Sequence, residues 1–388
     1  MPRIDDCRTE RGSLATRVAR LASDPRRQLE MARALARYSF AVATYPFTVG
    51  FAYLSYFRSL ARRRTDFVLE QWDGLRDLPS ATKVAIFSHF DPRGTLHDFV
   101  AHYLQQLEEA GFTVIFVSNA PLLTEETISR LRPRCGLILR RANVGYDFAA
   151  YKDGIARVPD LGRLETLLLV NDSAYGPFHP LKDIVARMDS SADVWGITDS
   201  WERHYHLQSY FLLFGRKALQ SASFARFWGK FRYVNSKHWI ISAGEIGLSR
   251  KLGAEGIRCQ ALFPYRPAAA ALLRAWRDEE NPHFDTLDFD QREFFRRLAY
   301  AIGRNRPVNS THFFWDYLIV RQGCPFLKRE LLRDNPVRVP YIREWTHVIK
   351  SASAYDTGLI ARHLELTMPH RPLPDPAAPG RPYRAWFA

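Results

Sequence analysis

The sequence predicts an α/β protein with a mixed, mostly parallel sheet flanked by helices, an N-terminal helical arm and a C-terminal helical extension. Two observations predict this class. From residue 82 onward, short apolar runs alternate with amphipathic stretches, which is the pattern of a series of strands and crossover helices. The chain also has 388 residues, of which 46% are hydrophobic, so it can bury a substantial core in one or two domains.

Individual elements follow from the same pattern. Strands are predicted at residues 84–89, 113–119, 136–141, 166–172, 194–199 and about 258–263. Helices are predicted over 94–110, from about 121, from about 147 and over 311–322. The run 206–215 follows its predecessor without a clear helix between them, so it is predicted to be an antiparallel or edge strand.

Three regions are expected along the chain. Residues 1–80 are expected to form a basic, aromatic-rich arm with a possible membrane contact, residues 81–265 the main α/β domain, and residues 266–388 the C-terminal extension and tail. Between residues 38 and 57 the arm has no charged side chain, which matches the length of a membrane span. Because this stretch contains Pro46 and little Leu or Ile, an aromatic-rich helical hairpin or interfacial helix is favoured over a span, and a helix buried against the main domain is the alternative.

The charge distribution favours a local basic patch. The net charge is +14, from 55 Lys and Arg against 41 Asp and Glu. Residues 1–64 alone hold 13 Arg and no Lys against five acidic residues. This clustering, with no recognition motif beside it, argues against a nucleic-acid-binding protein and for contact between the arm and a membrane surface.

The four cysteines do not form a metal or disulfide pattern. Cys7, Cys135, Cys259 and Cys324 are widely spaced, so buried or free thiols in a reducing compartment are expected. No apolar stretch with a cleavage-like site occurs near Met1. The sequence therefore predicts a cytoplasmic protein, peripheral on the inner face of the cell membrane.

Polar side chains follow nearly every predicted strand. In open α/β sheets, ligands bind beyond the carboxyl ends of the parallel strands. Ser88, Asp91 and Asn119 follow the first two strands and are therefore expected to contact the base and ribose of a nucleotide, with turn formation and helix capping as the alternative. Asp199 ends a later strand, and His206 and Gln208 share one face of the run 206–215, where they could line an acceptor site.

Four strings carry a resemblance to a known family: ANVGYDFAAYKDG, LLLVNDSAYGP, VWGITDS with YHLQSYFLLF, and THFFWDYLIVRQGCPFLKRELLRDNP. They resemble the rhamnan synthesis protein F family, and through it the inverting glycosyltransferases of GT-A fold. The resemblance covers roughly residues 84–336. It implies a GT-A-like, Rossmann-type sheet, a nucleotide-sugar donor such as dTDP-L-rhamnose, and a lipid-linked acceptor in lipopolysaccharide, O-antigen or capsule assembly.

The resemblance also implies roles for particular residues. Asn143, Gly145, Asp147 and Lys152 match a segment that approaches the donor phosphates, although Asp147 could instead be the N-cap of the following helix. Asp172 lies where GT-A enzymes bind Mg²⁺ or Mn²⁺ through an Asp-x-Asp pair. Here Asn171 and Ser173 flank a single carboxylate, so metal dependence is left open, and Arg141 or Lys152 could share the neutralising role.

For the catalytic base, the same resemblance implies Glu245, near the start of a predicted helix. A first-turn carboxylate that complements the helix dipole is the alternative reading, and Asp199 is the reserve candidate. The lone carboxylate at Asp172 also keeps a second function open: a non-catalytic, membrane-associated glycan-binding or assembly protein that retains the fold.

Overall fold

The computed structural model describes residues 25–61, 66–278 and 289–368. The chain divides into two compact units, residues 1–60 and 61–388. The expected features of residues 1–24 and of the tail from 369 lie outside the described residues.

The first unit is represented by one long helix, α1 (Pro25–Ala61). It continues through Pro46 without forming a hairpin. Large apolar side chains of its C-terminal half are exposed, with Phe47 78% and Phe51 56% accessible. Among the described residues, no helix is both long enough and apolar enough to cross a membrane.

The second unit is built on a nine-stranded sheet with a separate two-stranded sheet. The strands are β1 (Val68–Asp73), β2 (Lys83–His89), β3 (Thr113–Ser118), β4 (Cys135–Arg141), β5 (Thr166–Asn171), β6 (Ala174–Tyr175), β7 (Val194–Ser200), β8 (His206–Leu207), β9 (Phe211–Gly215), β10 (Cys259–Phe263) and β11 (Leu327–Lys328). The large sheet has the order β1-β4-β3-β2-β5-β9-β7-β10, with β8 paired to β7, and β6 pairs with β11.

Strand direction confirms the predicted mixed, mostly parallel sheet. β4, β3, β2 and β5 are parallel neighbours, and β10 is parallel to β7. β9 lies between β5 and β7 and is antiparallel to both. Of the two expectations for the run 206–215, an antiparallel or an edge strand, the antiparallel one is confirmed, because the connection from β7 to β9 contains no helix that could return the chain to the same edge, and β9 lies inside the sheet.

Helices cover the sheet. They are α2 (Asp98–Glu109), α3 (Glu125–Leu131), α4 (Tyr146–Ile155), α5 (Leu181–Ala186), α6 (Arg216–Leu219), α7 (Ala222–Lys230), α8 (Lys237–Trp239), α9 (Gly247–Ala254), α10 (Tyr265–Asp278), α11 (Phe289–Gly303), α12 (Ser310–Phe313), α13 (Trp315–Gln322), α14 (Arg329–Asp334), α15 (Trp345–Ala352) and α16 (Gly358–Thr367). Alternate side chains of β2 enter two different hydrophobic cores, since Ala85 and Phe87 belong to one and Val84 and Ile86 to the other.

Three elements differ from the predicted ones. The run 206–215 is two strands, because the Thr198 hydroxyl bonds both Gln208 and Tyr210 and residues 208–210 interrupt the pairing. The predicted helix 311–322 breaks at Phe314, which leaves the helical region at φ −140°. β1 lies within the region assigned to the arm but pairs antiparallel with β4, at the edge of the sheet.

Arg141, at the end of β4, is completely buried. Its Nε donates to Asp153 Oδ2 at 2.6 Å, its Nη2 donates to the Val144 carbonyl at 2.9 Å, and its Nη1 donates to Asn119 Oδ1. Asp153 also accepts a hydrogen bond from the Tyr233 hydroxyl. This network ties the end of the strand to α4, and removal of the cation would leave a buried carboxylate without its partner.

Arg141→Met is expected to lower the free energy of unfolding by about 3 kcal/mol, because Asp153 would keep its burial and lose its ion pair. Urea denaturation of both proteins measures the change. Arg76→Met is the matched control, since the Arg76 side chain is 46% exposed in its pair with Glu108. Equal losses in the two variants would contradict the structural role of Arg141.

Candidate active site

A cavity of about 780 Å³ opens at the carboxyl ends of β2, β5 and β7. Its walls come from the sheet, from the start of α4, from the segment around Glu245 and from residues of the C-terminal region. The polar lining includes Asp147, Asn171, Asp172, Glu245, Lys328 and Arg329. This is the edge of the sheet at which open α/β proteins bind ligands.

Asp147 is one of the partly buried carboxylates of the cavity. Its Oδ1 accepts from Ser88 Oγ and its Oδ2 from Asn171 Nδ2, both at 2.9 Å. Burial, with the negative charge of nearby Asp172, raises the pKa of the Asp147 carboxyl to about 6. Gly145, with φ +86°, is the N-cap of α4, so the Asp147 side chain is not the cap and points to β2 and β5 instead.

Asp172 is paired with a cation from the C-terminal region. Arg329 Nη1 lies 3.0 Å from Asp172 Oδ2 and also donates to the Asp172 carbonyl oxygen at 2.6 Å. The backbone N–H of Phe90 donates to Oδ2 at 3.4 Å. The carboxylate therefore already has a charged partner and a backbone partner within the protein.

His363 contacts the guanidinium of Arg329 and helps to fix its position. Its Nε2 lies 3.4 Å from Arg329 Nη2, and its Nδ1 lies 2.8 Å from the Tyr175 hydroxyl. Burial and the adjacent Arg329 lower the pKa of the His363 imidazole to about 2. A neutral ring is what this geometry requires, because Nε2 must accept from the guanidinium while Nδ1 donates to the tyrosine.

Glu245 lies in a π-helical segment, Ile240–Ile246, between α8 and α9. Its Oε1 accepts from the hydroxyl and backbone N–H of Ser209, and its Oε2 lies 3.9 Å from His206 Nε2. His206 Nδ1 donates to the His204 carbonyl, so Nε2 is the ring nitrogen that faces Glu245. Glu245 and His206 are thus placed to exchange a proton with a group bound in the cavity. Single π-helical turns occur often at functional sites.

The cavity brings together five of the residues predicted from the sequence: Asp147, Asp172, His206, Gln208 and Glu245. Gln208 accepts a hydrogen bond from the Thr198 hydroxyl, which orients its amide. Ser88 lies directly behind Asp147 as its hydrogen-bond donor.

The remaining predicted residues do not line this cavity. Asp91 accepts from the backbone N–H groups of Arg93 and Thr95 and pairs with His97 at 3.0 Å. Asn119 accepts from Arg141. These contacts are those of loop and strand-end structure, which was the alternative considered for both residues.

Four further residues also lie outside the lining. Lys152 donates to the carbonyls of Gly229 and Phe231. Asp199 accepts from the backbone of Tyr265 at 2.6 Å and from Trp201. Asn143 is exposed, and Gly145 supplies the left-handed turn before α4. Their roles in donor or acceptor chemistry have no counterpart in the geometry of the cavity.

Five cations in the lining were not singled out from the sequence: Arg203, Lys237, Lys328, Arg329 and Arg333. Three of them lie in the string LKRELLRDNP, where basic residues follow a short apolar stretch. That density of charge was a usable signal. The sequence did not show which part of the fold this string contacts, because only the pairing of β11 with β6 brings the string to the end of β5.

The described residues do not fit the divalent ion predicted at Asp172. Within ranges 25–61, 66–278 and 289–368, no group of three or more His, Cys, Asp or Glu side chains could hold a metal ion. Asp172 is occupied by Arg329, and both oxygens of Asp147 accept hydrogen bonds. Mg²⁺ is commonly held by one or two carboxylates together with phosphates and water, and here Oδ2 of the strand-end carboxylate Asp172 is already paired with Arg329.

Comparison with known proteins gives related sequences. The sequence profile of the family described as rhamnan synthesis protein F matches residues 114–282. The virulence protein VirA of Vibrio anguillarum is 31% identical over 266 residues, which cover 66% of this chain and 82% of VirA. The protein y4gN of Sinorhizobium fredii is 30% identical over 231 residues, 56% of this chain and 59% of y4gN.

Solved structures show weaker similarity. The mannosyltransferase PcManGT of Pyrobaculum calidifontis, solved with GDP-Man and Mn²⁺, is 12% identical with a TM-score of 0.30, and the match covers 86% of this chain and 99% of PcManGT. The glycosyltransferase GlyE of Streptococcus pneumoniae is 10% identical with a TM-score of 0.35, over 76% of this chain and 66% of GlyE.

Asp147→Asn should remove a pH-dependent loss of stability. The folded pKa of about 6 lies above the unfolded value of 3.8, so the folded state holds the proton more tightly. Stability of the native protein therefore falls as pH rises from about 4 to about 6, and the variant lacks this fall. Thermal unfolding across this pH range measures the difference. Asp183→Asn, at an exposed site, is the control, and identical pH profiles for the native protein and Asp147→Asn would refute the assignment.

Proposed function

The chain belongs to the rhamnan synthesis protein F family, and from that premise we propose that it is a glycosyltransferase that uses a nucleotide-sugar donor. The observation that carries the proposal is the cavity at the carboxyl ends of the parallel strands, where Glu245 and the Asp172–Arg329 pair line one space. That space combines a candidate base with cations suited to a diphosphate, which are the two groups that sugar transfer requires.

In the proposed reaction, Glu245 accepts the proton of the acceptor hydroxyl as the oxygen of that hydroxyl bonds to the anomeric carbon. The bond from that carbon to the diphosphate oxygen breaks on the opposite face, and its electron pair leaves with the nucleoside diphosphate. The configuration at the anomeric carbon is thereby inverted. His206 lines the same cavity 3.9 Å from Glu245, where its imidazole can contact the acceptor.

The finer assignments are proposals of the same kind. We propose a deoxyhexose such as rhamnose as the transferred sugar, with dTDP-L-rhamnose as the type of donor. The acceptor is proposed to be a lipid-linked surface glycan of lipopolysaccharide, O-antigen or capsule type. The family description supports rhamnan synthesis as the setting.

A non-catalytic glycan-binding protein is the second candidate. The observation that favours it is the ion pair of Asp172 with Arg329, which occupies the single strand-end carboxylate. The two candidates differ in turnover: a binding protein retains affinity for nucleotide or glycan and releases no free nucleoside diphosphate from the donor.

Glu245→Gln should reduce turnover by roughly 100-fold or more and leave affinity for the nucleoside diphosphate unchanged, because the amide cannot accept the proton. Release of nucleoside diphosphate from dTDP-L-rhamnose and other candidate donors, with a lipid-linked acceptor, is the measurement. Glu126→Gln, on an exposed position of α3, serves as the control. Full activity of Glu245→Gln would remove this residue from the mechanism, and absence of turnover in the native protein with retained nucleotide binding would favour the binding-protein candidate.

For the arm, we propose contact with an anionic membrane surface on the cytoplasmic face. Helix α1 exposes a set of large apolar side chains: Tyr45, Phe47, Phe51, Tyr53, Leu54, Phe57 and Leu60. The surrounding sequence is rich in arginine, with 13 in residues 1–64. Aromatic side chains that insert at the lipid boundary and arginines that bind anionic head groups are the two components of interfacial binding.

Deletion of residues 1–64, or the double change Phe47→Ser with Phe51→Ser, should release the protein from vesicles that contain anionic lipid. Co-sedimentation with anionic and with zwitterionic vesicles measures the binding, which should fall as salt concentration rises. Leu75→Ser, at a side chain 76% exposed in the second unit, is the matched control. Unchanged partitioning of both arm variants would contradict the proposal.

A further inference from the structure

Two adjacent cations, Lys328 and Arg329, line the cavity. β11 carries Lys328 and pairs with β6 directly beyond the end of β5, with Lys328 opposite Ala174. Arg329 follows as the first residue of α14. The two cations therefore reach the cavity from the C-terminal region, opposite the strand-end carboxylates.

Lys328 has few compensating contacts. Its Nζ lies 3.3 Å from Ser173 Oγ and 4.1 Å from the centroid of the Tyr210 ring. In the part of the chain that the structure describes, Lys328 forms no salt bridge within 4.0 Å. Burial lowers the pKa of its ammonium group, while the charges of Glu245, Glu330 and Asp147 act in the opposite direction. A partly buried ammonium without a contacting carboxylate is costly, and an anionic ligand would offset that cost.

Arg329 is held rigidly in place. Nη1 contacts the carboxylate and carbonyl of Asp172, and Nη2 contacts the neutral ring of His363. Its side chain is 21% exposed and lines the cavity. A guanidinium fixed in this way binds phosphate oxygens with little loss of side-chain entropy, and His363 is a positioning residue for it.

Three other cations, Arg203, Lys237 and Arg333, extend the positive surface. The side chains of Arg333 and Lys237 are 57% and 73% exposed. Each has an acidic neighbour, Asp334 at 2.7 Å and Glu330 at 3.5 Å. Because both are solvated, their attraction for a phosphate is screened, and the partly buried pair at positions 328 and 329 contributes more.

We propose that Lys328 and Arg329 bind the diphosphate of the nucleotide-sugar donor and neutralise it without a divalent metal ion. This rests on the proposed transferase function. As the bond to the anomeric carbon breaks, the diphosphate oxygen gains its electron pair and one negative charge, and the two cations stabilise that charge. The carboxylate that would otherwise hold a metal, Asp172, instead orients Arg329.

Titration calorimetry with UDP, dTDP and GDP, each in EDTA and in Mn²⁺, tests the proposal. At least one of the three nucleotides is expected to bind in EDTA. Lys328→Gln should weaken that binding roughly 10- to 100-fold, since it removes a charge-assisted contact to phosphate. Lys182→Gln, at an exposed position of α5, is the matched control and should bind as the native protein does.

Stability of the free protein separates a binding role from a structural one. Lys328→Gln should raise the melting temperature without nucleotide, because it removes a partly buried charge that lacks a carboxylate partner, whereas loss of a structural lysine would lower it. Arg329→Lys keeps the positive charge but loses the planar guanidinium that can donate two hydrogen bonds to one phosphate. This variant should therefore bind the diphosphate more weakly than the native protein and remain folded.

The opposing outcomes are distinct. Binding that requires Mn²⁺ and is equal in the native protein and Lys328→Gln would overturn the metal-free assignment and leave the proposed function standing. Absence of binding to all three nucleotides, with or without Mn²⁺, would overturn the proposed function and this inference with it.

Discussion

The ion pair between Asp172 and Arg329 is the interaction on which the architecture of the site depends. It joins the end of β5 to a segment more than 150 residues later in the chain, as the separation of 157 positions shows. The pairing of β6 with β11 also joins the C-terminal region to the residues after β5, and the contact of His363 with Arg329 helps to fix the guanidinium there. Together with the contact of Lys328 Nζ with Ser173 Oγ, these interactions attach the C-terminal region beside the strand ends and place its cations in the cavity.

The opposite wall is a satisfied polar network. Asp147 lines the cavity and keeps one orientation because Ser88 and Asn171 each donate to one of its oxygens. Asn171 in turn accepts from Ser173, so adjacent residues of one strand end orient one another. Buried polar groups that are fully hydrogen-bonded keep side chains in one geometry, which is what a site that must align donor and acceptor requires.

The position of polar residues after the strands correctly predicted the edge of the sheet at which the cavity lies. It did not predict which of these residues line the cavity. Asp91 and Asp199 follow strands, as a ligand-binding residue would, but their oxygens accept backbone N–H groups. Lys152 lies in α4 and donates to the carbonyls of Gly229 in α7 and of Phe231 just after it. Carboxylates and cations satisfy loop backbone as readily as they bind ligands, so the residue type alone cannot separate the two uses.

The sequence by itself predicted the mixed, mostly parallel sheet, an antiparallel or edge strand over 206–215 and the family, because the alternation of apolar runs and short motif strings are local properties. It also predicted that Asp147, Asp172, His206, Gln208 and Glu245 belong near a site, and the cavity contains all five. Only the tertiary structure decided that Arg329 occupies Asp172, that Gly145 rather than Asp147 caps α4, and that Lys328 completes the lining. For Arg329 and Lys328 the physical reason is distance along the chain: their contacts join residues that no local pattern relates, and they form only when the C-terminal region packs across the ends of the strands. The cap of α4 was decided instead by the left-handed backbone of Gly145 and by the hydrogen bonds that Asp147 accepts from Ser88 and Asn171.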